Sequence, residues 1–309
     1  MRIAIVGAGI AGLACADGLS AGGHEVALFD KGRGPGGRMS TRRVQTPLGE
    51  ASFDHGAQYF TARDPQFAGR VAAWADAGVV APWPAASPDA WVGSPSMNAP
   101  VRAMAARHNV RWNAQVRALE RGETWRLTGA AMDESGFDAV VLAVPAEQVA
   151  PLAGRLDPVL AAEAAGTRSE PCWTMMAAFA ERLVGSEDVI RDRGAIAWAA
   201  RNSSKPMRTG PESWVVQASP DWSRDHLEDD RAEVQAELVN ELSRAIGCAL
   251  PTPIALDAHR WRYARSGCQG AGYLWNACLK IGACGDWLIG PRVEDAWTSG
   301  SKFALSISK

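Results

Sequence analysis

Residues 2–12 of this chain have the sequence Arg-Ile-Ala-Ile-Val-Gly-Ala-Gly-Ile-Ala-Gly, a short apolar run followed by a glycine-rich turn. The run is rich in β-branched residues and continuously apolar, which is typical of a strand buried on both faces of a parallel sheet. Gly7, Gly9 and Gly12 have the spacing G-x-G-x-x-G. In a dinucleotide site these positions allow a tight turn, close approach of the backbone to a pyrophosphate, and close packing of helix on strand.

The segment after the turn supports the same interpretation. Apolar residues recur at helical spacing up to Gly22, and a second apolar strand, 25–29, is followed by Asp30. A helix N-terminus offers free N–H groups and a positive dipole end to phosphates, and the carboxylate after the second strand can accept the hydroxyl groups of an adenosine ribose. Strand, glycine turn, helix, strand and acid in this order predict a dinucleotide site. The glycine spacing also argues against a signal peptide.

The composition limits the class of protein. The chain has 309 residues, 47% hydrophobic and 21% charged, which excludes disordered and fibrous classes and predicts about two domains of roughly 150 residues each. The net charge of −2 gives no positive field for nucleic acid or an anionic membrane, and no apolar run reaches the ~20 residues that cross a bilayer. The six cysteines have no C-x-x-C or metal-ligand spacing, so we expect reduced thiols, no metal site and a cytoplasmic protein.

A second glycine-rich segment follows the acid. Residues 31–39 are Lys-Gly-Arg-Gly-Pro-Gly-Gly-Arg-Met, and residues 53–60 are Phe-Asp-His-Gly-Ala-Gln-Tyr-Phe. Paired glycines allow the backbone to approach a ligand, and Arg38 can supply a bidentate donor to a phosphate.

These segments, in this order, resemble the FAD-dependent amine oxidase superfamily, in which G-x-G-x-x-G, an acid, G-G-R and D-x-G-A recur. The resemblance extends to residues 281–287, which contain Gly285-Asp286, and to residues 290–300 after them. Within the superfamily the chain is most similar to the renalase family, in its compact bacterial form, through residues 56–65, 91–97, 204–206, 212–219 and 259–264.

The resemblance implies an α/β fold with a discontinuous Rossmann-like FAD-binding domain and a smaller α+β substrate domain with a mainly antiparallel sheet. We expect the FAD-binding domain to comprise residues 1–68, 96–150 and 257–309, and the substrate domain residues 69–95 and 151–256. Hydrophobic patterning predicts helices that start near residues 65 and 96 and another over 227–246. The strands predicted after residue 100 cover residues 110–112, 116–120, 124–128, 137–144, 172–179, 195–200 and 214–218.

The resemblance also implies which residues hold FAD, which we expect to be bound without a covalent link. Asp286 would bond the ribityl chain, and the following helix would direct its N-terminus at the flavin C2 carbonyl, where negative charge gathers on reduction. The expected cofactor contacts are Gly7, Gly9, Ala11, Gly12, Asp30, Lys31, Gly37, Arg38, Ala57, Gln58, Tyr59, Val116, Gly285, Asp286, Val293 and Glu294.

The likeness to the renalase family implies a dinucleotide substrate, the 2- or 6-dihydro isomers of NAD or NADP, with O2 as the electron acceptor and hydrogen peroxide as a product. In such donors the lone pair of the ring nitrogen expels the hydride, so no general base is needed, and we assign no catalytic residue. His55, near the expected flavin site, is interpreted as structural, with an acid/base role as the alternative. An oxidase or desaturase of amines or small apolar donors, and a flavin-binding sensor without turnover, are the other candidate functions.

Three residues are candidates for contact with the substrate. Phe60 continues the segment expected near the flavin. Arg201 and Lys205 lie in a loop between two predicted strands of the second domain, where cations could hold the substrate pyrophosphate at the entrance.

Overall fold

The computed structural model describes residues 1–130, 132–184 and 187–307. Its strands, in chain order, are β1 (Arg2–Val6), β2 (Glu25–Phe29), β3 (Thr41–Thr46), β4 (Gly49–Asp54), β5 (Val80–Pro82), β6 (Trp91–Gly93), β7 (Asn109–Arg111), β8 (Ala118–Arg121), β9 (Trp125–Gly129), β10 (Met132–Phe137), β11 (Ala139–Leu142), β12 (Ser169–Phe179), β13 (Val189–Arg193), β14 (Ile196–Arg201), β15 (Glu212–Ala218), β16 (Ala255–Ser266), β17 (Leu274–Asn276) and β18 (Ile281–Ala283). Its α-helices are α1 (Ile10–Ala21), α2 (Pro65–Asp76), α3 (Ala99–Ala105), α4 (Ala146–Ala153), α5 (Pro158–Gly166), α6 (Pro220–Asp225), α7 (Arg231–Ile246) and α8 (Val293–Ile307).

A six-stranded, mostly parallel sheet forms the centre of one half of the molecule, in the order β17-β18-β11-β1-β2-β7. β1 pairs in parallel with β2 on one side and with β11 on the other. The central residues of β1, such as Ile3 and Ile5, are fully buried because helices and neighbouring strands cover both faces. The predicted strand-turn-helix-strand unit is therefore confirmed.

Helices α1 and α8 pack closely on one another on the same face of this sheet. A Cβ atom on Gly300 of α8 would lie 2.1 Å from the carbonyl oxygen of Ala11, and one on Gly18 of α1 would lie 2.5 Å from the Cβ of Ala304. These two glycines let the helix backbones approach, so the last helix of the chain lies directly beside the helix that follows the glycine turn.

A five-stranded antiparallel sheet, β13-β14-β15-β12-β16, forms the second half of the molecule. Helix α7 covers one face of it with Val234, Leu238 and Leu242, all of which are buried. The predicted α/β fold, with a Rossmann-like part and a mainly antiparallel second part, is confirmed.

Strand β16 (Ala255–Ser266) was not predicted. It pairs antiparallel with β12 along most of its length, whereas the predicted division assigned residues from 257 onwards to the FAD-binding domain. The strand has many charged residues and no clean alternation of apolar and polar positions, so its sequence does not show the pattern of a half-buried strand. The domain division remains a proposal. It places most of β16 in the FAD-binding domain, whereas the strand belongs to the antiparallel sheet of the second half.

Strand β10 (Met132–Phe137) was also not predicted. It is polar, with Asp133, Glu134 and Ser135 in sequence, and it forms a small three-stranded sheet with β9 and β8. The apolar strand predicted over 137–144 is shorter, because Phe137 ends β10 and β11 covers only Ala139–Leu142. Within the described part of the chain, no helix has both the length and the apolar character needed to span a membrane.

Candidate cofactor site

The glycine turn after β1 is shaped by close contacts at two of its three glycines. Gly7 has a φ of +103°, and a Cβ at this position would lie 2.4 Å from the carbonyl oxygen of Ala143. A Cβ on Gly12 would lie 2.0 Å from the carbonyl oxygen of Gly7. Gly9 differs, because its backbone is extended and a Cβ there would meet no protein atom within 4 Å. Neither backbone strain nor protein packing therefore requires glycine at position 9. The missing side chain leaves open space beside the start of α1.

Asp30 lies at the end of β2, next to this turn. Its carboxylate accepts hydrogen bonds from the backbone N–H groups of Ala8 and Gly32, each 2.7 Å long. The bond from Ala8 holds the carboxylate beside the glycine turn, where the ribose-binding acid of a dinucleotide site lies. A carboxylate has about four acceptor positions, so capacity remains for ribose hydroxyls.

The G-G-R and D-x-G-A segments pack against each other and against the glycine turn. A Cβ on Gly56 would lie 2.0 Å from the carbonyl oxygen of Arg38, and the backbone N–H of Ala57 donates to the same carbonyl at 2.8 Å. A Cβ on Gly37 would lie 3.8 Å from the Cα of Gly9. Three glycine-containing segments far apart in sequence therefore present backbone to one space.

Arg38 also reaches the Gly285-Asp286 segment. Its Nη1 and Nη2 atoms donate to the two carboxylate oxygens of Asp286 at 2.7 and 2.6 Å, and the hydroxyl of Ser266 donates to Asp286 at 2.7 Å. Asp286 is 5% exposed. Two of the charged side chains predicted to hold the cofactor thus lie in direct contact.

These segments enclose a cavity of about 240 Å³. The side next to the dinucleotide fold contains seven of the predicted cofactor residues, namely Gly9, Ala11, Arg38, Ala57, Gly285, Asp286 and Val293. The antiparallel sheet contributes the opposite wall, with Cys172 on β12, Gln217 on β15, and Trp261, Ala264 and Arg265 on β16. Sequence reasoning did not identify these wall residues as contacts, although Gln217 falls in one stretch that resembles the renalase family, 212–219, and Trp261 and Ala264 fall in another, 259–264.

The other predicted cofactor residues lie outside the cavity lining. Gly7, Gly12, Asp30 and Gly37 belong to the segments that shape it, as described above. Lys31 is exposed and its Nζ donates to Gln148 at 3.2 Å, and Val116 is buried in an apolar cluster before β8.

Glu294 and Tyr59 are also placed elsewhere. The carboxylate of Glu294 accepts hydrogen bonds from the backbone N–H groups of Arg63 and Asp64, the first at 2.6 Å, so it holds the start of α2. The ring of Tyr59 packs against Trp198 with centroids 5.3 Å apart. Neither side chain contributes to the cavity wall.

Lys205 is part of a buried charge network. Its Nζ lies 3.3 Å from a carboxylate oxygen of Asp54 and 3.2 Å from Oε1 of Gln58, and its side chain is fully buried. Arg208 donates to the same oxygen of Asp54 at 2.6 Å. Burial lowers the pKa of Lys205 to about 8, although Asp54 opposes this shift. Burial alone would raise the pKa of Asp54, but the charges of Lys205 and Arg208 hold it well below its usual range.

This network corrects the prediction of entrance cations. Lys205 and Arg201 are each 2% exposed, and Arg201 forms ion pairs with Asp188, at 2.8 Å, and with Glu212. Both cations are neutralised inside the protein, so neither stands at the cavity mouth. Phe60, the third substrate candidate, is 4% exposed and packs on Phe67 in the core, with ring centroids 5.9 Å apart.

His55 lies behind the cavity wall. Its ring stacks on Trp261, with centroids 5.2 Å apart, and its backbone carbonyl accepts a hydrogen bond from the indole nitrogen of Trp261 at 2.8 Å. His259 packs edge-on against both rings. Burial, with the charge of Arg42, lowers the pKa of each histidine to about 4, so both imidazoles are neutral at pH 7. This arrangement favours the structural interpretation of His55.

The residues of the site fit FAD. The open space at Gly9 beside a helix N-terminus suits a pyrophosphate, and Asp30 suits an adenosine ribose. Arg38, 31% exposed, keeps donor capacity beyond its pair with Asp286, because a guanidinium has five N–H groups.

Comparison with known proteins points to the same cofactor. Residues 5–77 match the NAD(P)-binding Rossmann-like domain, and residues 86–275, more than half of the chain, match the flavin containing amine oxidoreductase family. A curated 4,4'-diapophytoene desaturase (4,4'-diaponeurosporene-forming) of Staphylococcus haemolyticus (strain JCSC1435) is 58% identical over 40 residues. That match spans 13% of this chain and 8% of the desaturase.

Solved structures share the fold over 99% of this chain and 98% of theirs. They include a proposed protoporphyrinogen oxidase of Exiguobacterium sp. 255-15 (TM-score 0.76, 11% identity) and cyclohexylamine oxidase of Brevibacterium oxydans IH-35A (TM-score 0.71, 14% identity). A putrescine oxidase bound to putrescine is similar to the same degree (TM-score 0.72, 14% identity). Together with the family match, the glycine turn, Asp30 and the Arg38–Asp286 pair lead to one conclusion: this chain belongs to the flavin containing amine oxidoreductase family, and its cofactor is FAD.

Proposed function

We propose that the protein is an oxidase of dihydronicotinamide isomers, of the type found in the renalase family. It would take a hydride from the 2- or 6-dihydro form of NAD or NADP and deliver the electrons to O2, with NAD(P)⁺ and hydrogen peroxide as products. The observation that carries this proposal is the chemistry of the cavity lining, whose described residues offer no side chain suited to remove a proton from a substrate.

The lining is poor in bases. Among the described residues that line the cavity, the carboxylate is that of Asp286, which is occupied by Arg38 and Ser266, and no histidine is present. Burial raises the pKa of the Cys172 thiol to about 11, so the thiol stays protonated at neutral pH. A dihydronicotinamide suits such a site, because its ring nitrogen expels the hydride and the ring regains aromaticity in the same step.

The wall residues can orient a flat donor and exclude water from it. Trp261 is held by its indole hydrogen bond to His55, and the side-chain amide of Gln217 donates to the carbonyl oxygen of Gly56 at 2.8 Å. These bonds fix the distance between the antiparallel sheet and the Gly56 segment. Hydride transfer needs the donor and the acceptor to be held at a short, fixed distance. The bound flavin supplies the hydride acceptor and passes the electrons to O2.

We also propose that FAD is held without a covalent bond. Cys172 is the cysteine of the described cavity lining, and a thiol with a raised pKa is a poor nucleophile. Acid precipitation should release all of the flavin into the supernatant, and yellow precipitated protein would contradict this proposal.

The second candidate is an oxidase or desaturase of amines or small apolar donors. It is favoured by the family match and by the names of the structural relatives, a cyclohexylamine oxidase and a putrescine oxidase. A third candidate, a flavin-binding sensor, needs the same cofactor site without turnover.

Anaerobic mixing distinguishes the three candidates. Flavin-loaded protein is mixed in a stopped-flow instrument with 2-dihydroNAD, 6-dihydroNAD, cyclohexylamine or putrescine, and flavin absorbance near 450 nm is followed. We expect rapid bleaching with at least one dihydroNAD isomer and peroxide release when O2 is admitted. Bleaching by the amines alone would establish the second candidate, and no bleaching by any donor would favour the third.

A further inference from the structure

Two arginines stand at the mouth of the cofactor cavity. Arg265 lies near the end of β16, on the antiparallel wall, and Arg292 immediately precedes α8, on the opposite side. Both residues line the cavity, and both are exposed to solvent. A residue that does both lies where the cavity opens to solvent, so the two cations face the entrance from the two halves of the molecule.

Each guanidinium has an acidic neighbour but is not paired with it among the described residues: Glu170 is the cross-strand neighbour of Arg265, and Asp295 is near Arg292. Across residues 1–130, 132–184 and 187–307, the side chains of Arg265 and Arg292 make no hydrogen bond and no ion pair. Other arginines of the site are committed to carboxylates, Arg38 to Asp286, Arg42 to Asp257 and Arg208 to Asp54. The paired arginines stabilise the fold, whereas Arg265 and Arg292 are available to a ligand.

The charge around the cavity is therefore positive. Its described lining contains Arg38, Arg265 and Arg292 against the single carboxylate of Asp286. Asp295, on the first turn of α8, is the acidic neighbour of Arg292, but it lies beyond ion-pair distance. This surplus occurs in a chain whose net charge is −2, so the positive charge is local and matches an anionic ligand.

We propose that Arg265 and Arg292 form an anion-binding pair that takes a phosphate group of the dinucleotide substrate. The proposal rests on the proposed function and takes over the role that Arg201 and Lys205 cannot fill. FAD also carries a pyrophosphate, but Gly9, the start of α1 and Arg38 are the groups that suit it. Arginine fits the role, because its planar group binds phosphate oxygens in a bidentate manner.

The test compares a substrate that carries phosphate with one that does not. The variants Arg265→Gln, Arg292→Gln and the double variant are assayed with 6-dihydroNAD and with 6-dihydronicotinamide riboside. The control is Arg262→Gln on the same strand, an arginine 43% exposed that is bonded to Glu228 and lies outside the cavity lining. We expect each single variant to raise KM for the dinucleotide about 10-fold, as for the loss of one charged hydrogen bond.

The riboside reports whether the effect acts through phosphate. The ratio of the dinucleotide KM to the riboside KM should rise at least about 10-fold in the double variant, and it should stay at the wild-type value in Arg262→Gln. Wild-type KM for the dinucleotide should also rise with ionic strength, and this dependence should weaken in the double variant. An unchanged ratio would overturn the proposal. A lower flavin content with an unchanged ratio would also overturn it and assign the pair to FAD.

A binding measurement separates failure of this proposal from failure of the proposed function. Calorimetric titration of flavin-loaded protein with inorganic pyrophosphate needs no turnover. Binding by wild-type protein and Arg262→Gln, lost in the double variant, would support the anion site even if no dihydronicotinamide is oxidised. Absence of pyrophosphate binding in wild-type protein, or retention in the double variant, would overturn the site.

Discussion

Arg38 and Asp286, which lie 248 positions apart in sequence, form a bidentate ion pair in which Nη1 donates to Oδ2 at 2.7 Å and Nη2 donates to Oδ1 at 2.6 Å. The pair connects the loop after β2 to the segment after β18. Asp286 is almost fully buried, and Ser266 from the antiparallel sheet also donates to it. One carboxylate thus joins three parts of the cofactor site, and it holds Arg38 in the lining of the cavity that Gly9 also lines.

The first prediction concerns this pair. Asp286→Asn removes the charge that orients Arg38, and Arg38→Lys removes the planar fork, so either variant should bind FAD about 10- to 100-fold more weakly, corresponding to about 1.5–3 kcal/mol for hydrogen bonds to charged groups. FAD affinity is measured by titrating apoprotein and following the quenching of flavin fluorescence. A matched control is Arg126→Lys, which alters a bidentate pair with Asp133 on an exposed sheet and should leave FAD affinity unchanged. Wild-type affinity in Asp286→Asn would contradict the prediction.

The second prediction separates two glycines of one turn. Gly9→Ala fits the apoprotein, because the backbone there is extended and the added Cβ meets no protein atom, so the apoprotein should lose at most about 1 kcal/mol of stability. The Cβ would instead occupy the space expected for the pyrophosphate, so FAD affinity should fall at least about 10-fold. Gly12→Ala places a Cβ 2.0 Å from the Gly7 carbonyl oxygen and should destabilise the apoprotein itself by about 3 kcal/mol or more.

Urea unfolding of the two apoproteins and FAD titration provide both readouts for this comparison. Normal FAD affinity in Gly9→Ala would show that the open space at residue 9 is not part of the cofactor site. A stable Gly12→Ala apoprotein would show that the turn can relax away from the clash.

The sequence predicts the local parts of this site well and the long-range parts poorly. The turn at Gly7–Gly12, the strands around it and the carboxylate of Asp30 follow from backbone requirements that short segments express by themselves. Whether Arg201 and Lys205 are buried depends on carboxylates that are distant in sequence or in another strand. Lys205 and its partner Asp54, for example, are 151 positions apart. A polar loop that carries arginine and lysine has the same pattern whether it faces solvent or closes over a buried acid.

The same reasoning explains the cavity wall that was missed. Trp261 and Arg265 lie on β16, whose charged residues hide its strand character, and their position over the cavity is set by pairing with β12. Pairing of distant strands has no signature in one segment alone. Glu294 illustrates the opposite error. It lies in a segment that resembles the family and was predicted to contact the cofactor, but its carboxylate supports the backbone next to the site.

The third prediction concerns the buried network around Asp54. Asp54→Asn leaves the cations of Lys205 and Arg208 buried beside a neutral amide, so the free energy of unfolding should fall by about 3–5 kcal/mol. Lys205→Met should cost less, because Arg208 still pairs with Asp54. Urea denaturation measures both changes. The control Asp133→Asn breaks an exposed pair with Arg126 and should leave the free energy of unfolding nearly unchanged. Equal effects of Asp54→Asn and Asp133→Asn would contradict the role of burial.

The last prediction concerns acid stability and rests on His55. Its pKa in the folded protein is about 4, against an ordinary value of 6.5, because burial and the neighbouring His259 and Arg42 disfavour the charged form. Above pH 6.5 neither the folded nor the unfolded chain protonates this imidazole, and its contribution to stability is complete. As the pH falls from 6.5 to 4, the unfolded chain takes up the proton and the folded chain does not, so stability falls by about 3 kcal/mol in total, at about 1.4 kcal/mol per unit of pKa difference. Below pH 4 both states are protonated and this loss does not grow. His55→Gln should reduce the slope of the unfolding free energy against pH over this interval, as measured by urea denaturation at half-unit steps, and His259, whose pKa is also lowered to about 4, should maintain the remainder. His24→Gln removes a less buried imidazole whose pKa is lowered by burial and by the N-terminal amine, so it should reduce the slope by less. Parallel wild-type and His55→Gln curves between pH 6.5 and 4 would show that the imidazole is not held neutral behind Trp261.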